Sequence, residues 1–377
     1  MFKATQGFDE KEWAKLQHHN IFQSSEWISS MASRLPGEIY TFTLSDEVGI
    51  LGVIISQFDA YEAYNPQTIF WRKEPVFSTF CMDTRQKFIS ELDFIPSSLP
   101  ALVLVFPGYD GNPSGKKHKD QSVISDFVAL IIDWAKCMNI SGVHSLYTFE
   151  SPLETAFKRL GGQTYDLTTR SVLNVTWNDW NDYLQQLSAN RRSKIKKEYK
   201  LISSSMKLSE VNARKYTNDI VSGRCSTLRR YGNQTSFSSE KKRLESLIDR
   251  YGDNLKVFGA IHKCELIASS VCVLSDSQLI VIYNGVSDAG NNVRYSHFAS
   301  NYYAIIQNID VRNVRVIDYG ISHKDVKELR GCKSFFLKGH VLHLDKSGQH
   351  QHHAMAKLMS EKTLHTVNDY KGSAYEK

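Results

Sequence analysis

The chain has 377 residues, 41% of them apolar and 11% aromatic, which is the composition of a protein with a hydrophobic core and room for two or three domains. Its 46 basic and 40 acidic residues give a formal net charge of +6, which favours anionic partners without distinguishing nucleic acid from a nucleotide cofactor. No run of about 18 apolar residues is present, and the first residues lack the apolar core of a secretory signal. We therefore expect a cytoplasmic protein with no membrane span.

Metal and nucleotide motifs are absent from the sequence. The six cysteines are scattered singly and form no CxxC pair, so neither a zinc knuckle nor a disulfide framework is predicted. The stretch "QHQHHAM" has no cysteine or carboxylate partner for a structural zinc ion. In "GNPSGKK" the glycines are one residue too close for a phosphate loop, and a lysine stands where Ser or Thr is required. We expect no bound metal.

The first half of the chain alternates strand and helix patterns. "EIYTFTL" and "GILGVIISQFDAYEAY" predict two strands joined by a turn at "SDEV", and "ALVLVF" predicts the next strand. A helix from Ser125 to Met138 follows, because four apolar side chains fall on one stripe. "GVHSLYTF" predicts a further strand, and "ETAFKRLGG" predicts a short helix that ends at glycine.

The second half repeats this order. A helix from about Asn178 to Leu201 and a polar helical region to about Arg250 precede the strand "NLKVFGAIH". "CELIASSVCVLSDSQLIVIYNGV" predicts two strands with a turn at Asp276, followed by the helix "YSHFASNYYAIIQNI" and the strand "VRVIDYG". This repetition predicts an internal duplication of two α/β or α+β lobes, each a mixed sheet flanked by helices. The expected parts are a lobe at 1–170, a lobe at 171–345 that carries a basic helix at 187–201, and a polar tail or peripheral helix at 346–377.

Four segments resemble Fem-type acyltransferases of the GNAT superfamily, the relatives of peptidoglycan-bridge aminoacyltransferases and of cellulose-biosynthesis-type acetyltransferases. They are "IFQSSEWISSM", "LQQLSANRRSKIKKEYK", "VFGAIHKCELIASSVCVL" and "VIDYGISHKDVKELRGCKSFF", and the resemblance spans about residues 20 to 345. It implies tandem GNAT-like lobes and transfer of an acyl or aminoacyl group to an amine of a small-molecule or cell-wall-related acceptor. It implies no tightly bound cofactor.

The donor implied by the resemblance is either acyl-CoA or aminoacyl-tRNA. The diphosphate loop of simple GNAT enzymes, Q/R-x-x-G-x-G/A, corresponds here to "GVSDAGNNVRYSHF", in which Gly290 is the only internal glycine. The basic helix offers the extended positive surface that a tRNA acceptor arm requires, whereas the net charge is modest. Both donors therefore stay open. A non-catalytic binding protein on the same scaffold and a nucleic-acid-binding protein are the alternatives to an enzyme.

Aminolysis of an ester or thioester requires a neutral amine, stabilisation of the oxyanion and a proton for the leaving group, but no covalent nucleophile. Neither a GxSxG elbow nor an evident cysteine–histidine pair is present. By resemblance, Lys333 places a positive charge near the acyl carbonyl or a phosphate; the alternative is a surface lysine. Asp318 ends the strand "VRVIDYG", where it either binds or deprotonates an amine or caps the turn before Gly320.

The helix after the loop supplies the other catalytic candidates. His297 lies in its first turn and is interpreted as a proton shuttle or a polar helix-start residue. Tyr302 falls on the apolar stripe, which favours core packing, whereas Tyr303 is offset from that stripe.

Substrate-binding candidates follow the strands and the basic helix. Each has a structural alternative, namely a turn, a helix end or a solvated helix face. The candidates are Arg191, Arg192 and Lys196 in the basic helix, Arg229 and Arg230 in "LRRYG", Tyr283 and Asn284 at a strand end, Tyr302, Gly320, and Tyr64 and Asn65 after a strand of the first lobe.

Overall fold

The computed structural model describes residues 1–57, 62–72, 76–77, 82–95, 97–321, 323–346 and 348–361. The chain divides into two compact units, residues 1–169 with 336–377, and residues 170–335. Within the described residues, no helix has the combined length and hydropathy that crossing a bilayer requires.

Strands account for much of both units. In chain order they are β1 Phe2–Gln6, β2 Glu38–Leu44, β3 Val48–Ile55, β4 Ala101–Leu104, β5 Gly142–Thr148, β6 Gln163–Asn174, β7 Lys207–Glu210, β8 Leu255–His262, β9 Glu265–Ser275, β10 Gln278–Val286, β11 Val316–Ile321 and β12 Lys333–His343. The boundary between the units falls within β6 and within β12.

The helices vary from single turns to 17 residues. They are α1 Glu10–Trp13, α2 Ser25–Met31, α3 Pro66–Trp71, α4 Met82–Ser90, α5 Gln121–Cys137, α6 Leu153–Arg159, α7 Trp180–Gln185, α8 Ala189–Ser205, α9 Thr217–Arg230, α10 Phe237–Tyr251, α11 Asp288–Asn291, α12 Ser296–Phe298, α13 Ala304–Asn308, α14 Lys324–Leu329 and α15 Gln349–Glu361. A π-helical segment, Ala299–Tyr303, joins α12 to α13, and short 3₁₀ turns occupy Ile21–Gln23, Ala32–Arg34 and Gly252–Asn254.

The sheet of the first unit is mixed. β1, β2, β3 and β4 pair antiparallel in that order, and β4 then pairs in parallel with β5. β12 pairs antiparallel with the other edge of β5 through residues 338 to 343. The apolar face of α5, capped at its start by Asp120, is buried in this unit.

The sheet of the second unit has the same pattern. β7, β8, β9 and β10 pair antiparallel, β10 pairs in parallel with β11, and β6 pairs antiparallel with β11. Each unit therefore contains a mixed sheet with one parallel pair and flanking helices, as the sequence predicts.

Several element boundaries differ from the sequence-based expectations. The strand predicted through "QFDAYEAY" ends at Ile55. The helix predicted from Asn178 to Leu201 is two helices: α7 ends at Gln185, and Ser188, with an extended ψ of 155°, precedes the first residue of α8. The predicted polar helical region contains β7, α9 and α10. Residues 336–345, predicted with the second lobe, fall in the first unit, and the predicted tail contains α15 and then continues outside the described residues.

The crossing of α9 over β10 depends on two glycines. A Cβ on Gly285 would lie 2.5 Å from the Arg224 main-chain nitrogen and 2.6 Å from the Gly223 carbonyl carbon. A Cβ on Gly223 would meet its nearest atom, the Gly285 carbonyl carbon, at 3.3 Å. The close approach of α9 to β10 therefore requires the absence of a side chain at Gly285 in the strand more than at Gly223 in the helix.

Gly285→Ala is expected to lower the free energy of unfolding by about 1–3 kcal/mol, because main-chain atoms of α9 must move to admit the methyl group. Gly223→Ala is the matched control, since alanine favours the helix by about 1 kcal/mol and offsets the tighter contact. Urea denaturation of both variants measures the difference. Equal destabilisation by the two substitutions would contradict this account of the crossing.

Candidate functional site

The candidate site lies where the parallel strands of the second unit separate. β10 pairs with β11 through Gln278–Ile280 and Val316–Asp318, and within the described residues the pairing ends there. A bulge between Val281 and Tyr283 accompanies the separation. Ligands of open α/β sheets commonly bind at the carboxyl ends of such strands. The predicted residues Tyr283, Asn284 and Gly320 all lie at these two strand ends.

His297 lies on the helical segment that follows β10. It comes two residues after Tyr295, whose left-handed backbone (φ 66°) redirects the chain into α12. Its Nδ1 is buried and has no hydrogen-bond partner among the described residues. Burial and, to a smaller extent, the charges of Arg230 and Arg330 together lower the pKa of His297 to about 4. The imidazole is therefore neutral at pH 7, and it is a weaker base than an ordinary histidine.

The end of β10 presents one aromatic and one amide side chain. Tyr283 is buried, and the Arg224 guanidinium lies 5.1 Å from its ring centroid. Asn284 is half-buried, and its side-chain amide makes no hydrogen bond within the described part of the chain. An amide held at a strand end with free donors is suited to bind a carbonyl oxygen.

More than half of the main-chain amides in the loop after β10 are hydrogen-bonded within the fold. Ser287 caps α11, and Asp288 accepts a hydrogen bond of 2.5 Å from the Ser226 hydroxyl. Five loop amides donate to acceptors inside the loop: Gly290 to Ser287 Oγ (3.0 Å), Asn291 to the Ser287 carbonyl (2.9 Å), Asn292 to the Ala289 carbonyl (3.2 Å), Val293 to the Gly290 carbonyl (3.0 Å) and Ser296 to the Val293 carbonyl (3.2 Å). A diphosphate cradle needs such amides to be unpaired.

The predicted pair Arg229 and Arg230 reaches this loop from the end of α9. Arg230 Nη1 donates to Asn291 Oδ1 at 2.7 Å. Arg229 lies 3.5 Å from the Asp288 carboxylate, and both side chains are largely exposed. The structure thus brings Arg230, Asn291 and His297 into one neighbourhood.

Asp318 is engaged within the fold. It is buried, its Oδ2 accepts from Arg170 Nε at 2.8 Å, and its Oδ1 accepts from the Gly320 amide at 2.7 Å. Gly320 adopts a φ of 68°, which only glycine adopts without strain. Because both carboxylate oxygens are occupied, this geometry favours a positioning role for Asp318 over deprotonation of an amine.

A buried lysine supports the same turn. Lys327 Nζ donates to the Gly320 carbonyl at 2.9 Å and to the Ile321 carbonyl at 2.7 Å. Burial lowers the pKa of Lys327 to about 8, although Asp318 opposes the shift. Burial also raises the pKa of the Cys332 thiol to about 12, so this cysteine is no nucleophile at neutral pH. Lys333, the next residue, is exposed at the start of β12 and has no ion-pair partner within the described ranges.

A buried ion pair that the sequence analysis did not identify lies beneath the helical segment. Arg330 is 1% exposed, and its Nη2 donates to Glu198 Oε2 at 2.6 Å. The Tyr303 hydroxyl donates to the same oxygen at 2.5 Å. The guanidinium lies 4.1 Å from the Phe298 ring centroid and 4.6 Å from that of Tyr302. Tyr302 and Tyr303 are therefore buried parts of this network.

One signal in the sequence indicates Glu198. It is the single acidic residue among the six basic ones of α8, and it stands at i+3 from Ile195 and i−4 from Ile202, on the apolar stripe. A carboxylate on an apolar stripe needs a buried cation as a partner. Nothing in the sequence identifies Arg330 as that partner, because it lies 132 residues further along the chain.

The opposite face of α8 is cationic. Arg191, Arg192, Lys194, Lys196, Lys197 and Lys200 form no ion pair with any residue that the structure describes. Along this face the side chains of Ala189, Arg192, Ser193, Lys196, Lys197 and Lys200 border an open, shallow surface. The predicted residues Arg191, Arg192 and Lys196 thus belong to an extended surface rather than to a single pocket.

The first-unit candidates are buried and bonded locally. Tyr64 is 4% exposed, and its hydroxyl accepts from the Gly108 amide at 3.1 Å. Asn65 is fully buried and caps α3 by accepting from the Gln67 amide at 3.0 Å. Both side chains serve the fold of the first unit. Within the described residues, no group of three or more His, Cys, Asp or Glu is arranged to hold a metal ion.

Comparisons with known proteins identify the fold and the family. The FemAB-like family model, described as peptidoglycan biosynthesis/recognition, matches residues 113–363. The C-terminal domain of a putative lysylphosphatidylglycerol synthetase from Agrobacterium fabrum is similar in structure, with 8% identity, a TM-score of 0.53, and coverage of 93% of this chain and 96% of that one. L-PGS from Bacillus licheniformis is similar at 11% identity and TM-score 0.53, with 94% and 98% covered. No curated protein sequence matches. The predicted tandem GNAT-like fold is confirmed.

Replacing Arg330 with methionine is expected to lower the free energy of unfolding by about 3–5 kcal/mol, because the Glu198 carboxylate is left buried without a cation. The double variant Glu198→Leu/Arg330→Met should recover part of that loss. Arg214→Met is the control, since it breaks the exposed Arg214–Asp249 pair of 2.8 Å and should cost no more than about 1 kcal/mol. Chemical denaturation that gives equal losses for the two single variants would contradict the buried-pair assignment.

The His297 imidazole is expected to titrate near pH 4 in the native protein, rather than near 6.5. The unfolded chain gains the proton first as the pH falls, so the free energy of unfolding decreases from about pH 6.5 to about pH 4 and stays lower below pH 4. NMR titration of the ring protons measures the midpoint. Arg230→Gln should raise it towards 6.5 by removing a nearby cation, whereas Lys242→Gln, a charge-matched change on α10, should not. If the His297 midpoint does not shift in Arg230→Gln, the charge of Arg230 does not act on His297 and this prediction is wrong.

Proposed function

The chain belongs to the FemAB-like family and is an acyltransferase of the Fem/GNAT type, and from that premise we propose that it transfers an aminoacyl group from aminoacyl-tRNA to an amine of a cell-wall-related acceptor. The acceptor nitrogen forms a bond with the ester carbonyl carbon, the bond from that carbon to the ribose oxygen breaks, and the proton lost by the amine passes to the ribose oxygen. The family description, peptidoglycan biosynthesis/recognition, supports the choice of acceptor.

The cationic face of α8 is the observation that carries this proposal. Six basic side chains on one 17-residue helix make no ion pair in the described structure, and four of them border one open surface. A 17-residue helix is about 25 Å long, so its charges match several successive phosphates of an RNA duplex rather than one diphosphate.

The loop after β10 supports RNA over acyl-CoA as the donor. Binding of CoA in the usual GNAT manner requires main-chain amides to cradle the diphosphate at this loop. Here five of those amides are engaged inside the loop.

His297 and Asn284 have the chemistry that aminolysis requires. In this proposal His297, which is neutral at pH 7, relays the proton that the amine loses once its nitrogen has bonded to the carbonyl carbon, and the ribose oxygen receives that proton. The Asn284 amide donates to the carbonyl oxygen as negative charge develops there. Lys333 adds a positive charge for a phosphate or for the carbonyl, while Asp318 and Gly320 hold the turn at the end of β11. Because aminoacyl-tRNA is a cytoplasmic substrate, the proposal places the enzyme in the cytoplasm.

A direct product assay tests the donor and the reaction together. The purified protein is incubated with amine-containing cell-wall precursors and either charged tRNA or acyl-CoA, and the products are identified by mass spectrometry. Amide products that depend on charged tRNA support the proposal. Products formed with acyl-CoA alone overturn the donor assignment, and the absence of amide products with either donor favours a non-catalytic binding protein.

Removing charge from α8 is expected to weaken donor binding. Lys196→Gln/Lys200→Gln should raise KM for charged tRNA about tenfold or more at low salt and reduce the salt dependence of binding, because two phosphate contacts are lost. The kcat should change little, since neither side chain reaches the reacting atoms in the proposal. Lys241→Gln/Lys242→Gln on α10 is the charge-matched control and should leave KM unchanged. The same KM for both double variants would refute an RNA surface on α8.

A further inference from the structure

We propose that Lys327 is a positioning residue for the transfer reaction, and that its side chain holds the end of β11 apart from β10 so that the candidate site stays open. This inference rests on the proposed function, because its catalytic effect is measured on amide formation. It goes beyond that function by assigning the opening of the site to a side chain of α14 that takes no part in the chemistry.

Lys327 binds two consecutive carbonyl groups. In a regular strand the carbonyls of successive residues point towards opposite neighbouring strands. Gly320 and Ile321 are adjacent in the chain, yet both of their carbonyls accept from Lys327 Nζ, at 2.9 and 2.7 Å. The main chain therefore departs from the course of a regular strand at this point. The φ of 68° at Gly320 provides the bend.

The two carbonyls lie where the sheet opens. Within the described residues, the parallel pairing of β10 with β11 ends at Ile280 and Asp318, two residues before Gly320. The pairing of β11 with β6 is irregular between Asp318 and Ile321. Carbonyls that are bound to an ammonium group are less available to the amides of a neighbouring strand. Lys327 thus favours the separated arrangement of β10 and β11 over a continued ladder.

The burial of this lysine is costly and needs an explanation. Lys327 is 5% exposed, and lysine side chains are rarely buried without a partner. Burial lowers the pKa of Lys327 to about 8; Asp318 on β11 and Cys332 before β12 oppose this shift, whereas Arg170 on β6 adds to it. Burial and then the charge of Lys327 lower the pKa of His323, which precedes α14. An apolar side chain would avoid the desolvation of an ammonium group, so the two carbonyl contacts account for the lysine.

The charge of Lys327 affects stability and activity in opposite directions. Between about pH 8 and pH 10.5 the unfolded chain keeps a proton that the folded chain has lost, so the free energy of unfolding rises with pH. A neutral amine binds carbonyls more weakly than an ammonium group does, so the hold on the end of β11 weakens over the same range. A lysine with a merely structural role would not lower kcat while stability rises.

Replacing Lys327 tests the positioning role. Lys327→Met should lower kcat for amide formation about tenfold or more and leave KM for charged tRNA unchanged, because the site is distorted while the donor surface is intact. Lys327→Arg should retain most of the kcat, since a guanidinium can donate to both carbonyls and stays charged. The ratio of kcat in the unmodified protein to kcat in Lys327→Arg should fall as the pH rises through 8. Titration of the substrate amine cancels in this ratio.

Lys324→Met is the matched control. Lys324 lies one turn earlier on α14, where its Nζ is 3.8 Å from the Glu328 carboxylate of the same helix. This variant removes a lysine from the same helix without touching the end of β11, so kcat should not change. Thermal melting establishes that each variant is folded.

NMR of the unmodified protein tests the contact without any substrate or variant. The Lys327 side chain should titrate near pH 8. The amide nitrogen of Ile321 is bonded to the Gly320 carbonyl carbon, so its chemical shift reports on the hydrogen bond that this carbonyl accepts. It should change with the same midpoint as Lys327.

The outcomes separate this inference from the proposed function. If Lys327→Met keeps the kcat of the unmodified protein, or if the Ile321 nitrogen does not follow the Lys327 midpoint, the inference is overturned, while tRNA-dependent amide formation would still uphold the proposed function. If the two midpoints coincide and Lys327→Met loses activity, but products form only from acyl-CoA, the positioning role stands and the donor assignment fails.

Discussion

The organisation of the second unit depends on one buried ion pair, between Glu198 and Arg330. Two charges removed from water are tolerated best when they are paired and hydrogen-bonded. Here the Tyr303 hydroxyl also donates to Glu198 at 2.5 Å, and Arg330 also donates to the Val326 carbonyl at 2.9 Å. The pair connects α8 to the residue that follows α14, and the Phe298 and Tyr302 rings against the guanidinium connect both to the helical segment. These contacts fix the position of α8 relative to the helical segment that carries His297.

This buried ion pair explains how α8 can have one face in the core and a strongly basic face in solvent. Ile195, Glu198 and Ile202 are buried on one face of α8, while six basic side chains occupy the remainder. Repulsion among the cations opposes helix formation, and each like-charged i,i+4 pair costs a few tenths of a kcal/mol. Packing of the buried face offsets this cost, and a polyanion would remove it. The surface is therefore maintained by tertiary contacts and is suited to bind a partner with many phosphates.

The sequence was informative where local periodicity decides the structure, and less so where distant partners do. The hairpin of β9 and β10 with its turn at Asp276, the helix α5 and the strands β8 and β11 follow from apolar runs and turn residues. By contrast, β6 and β12 have polar, less regular sequence patterns. Their positions depend on pairing with strands that are distant in the sequence, β11 and β5 respectively. The same limit applies to the site. His297, Tyr283 and Asn284 could be proposed from their positions after a strand, whereas the burial of Asp318 and its partner Arg170 requires knowledge of the sheet.

The departure from the usual GNAT diphosphate loop has a physical consequence for donor choice. Glycine-rich loops leave amides free because no side chain competes for them, whereas Ser287, Asp288 and Asn291 fill this loop with their own acceptors. Asn291 also holds Arg230 beside the loop. In the proposed function, the positive charge for the donor comes from side chains beside the loop and along α8. Charges distributed over two elements match a long anion better than a compact one, and this is the reason for proposing an RNA donor rather than a coenzyme.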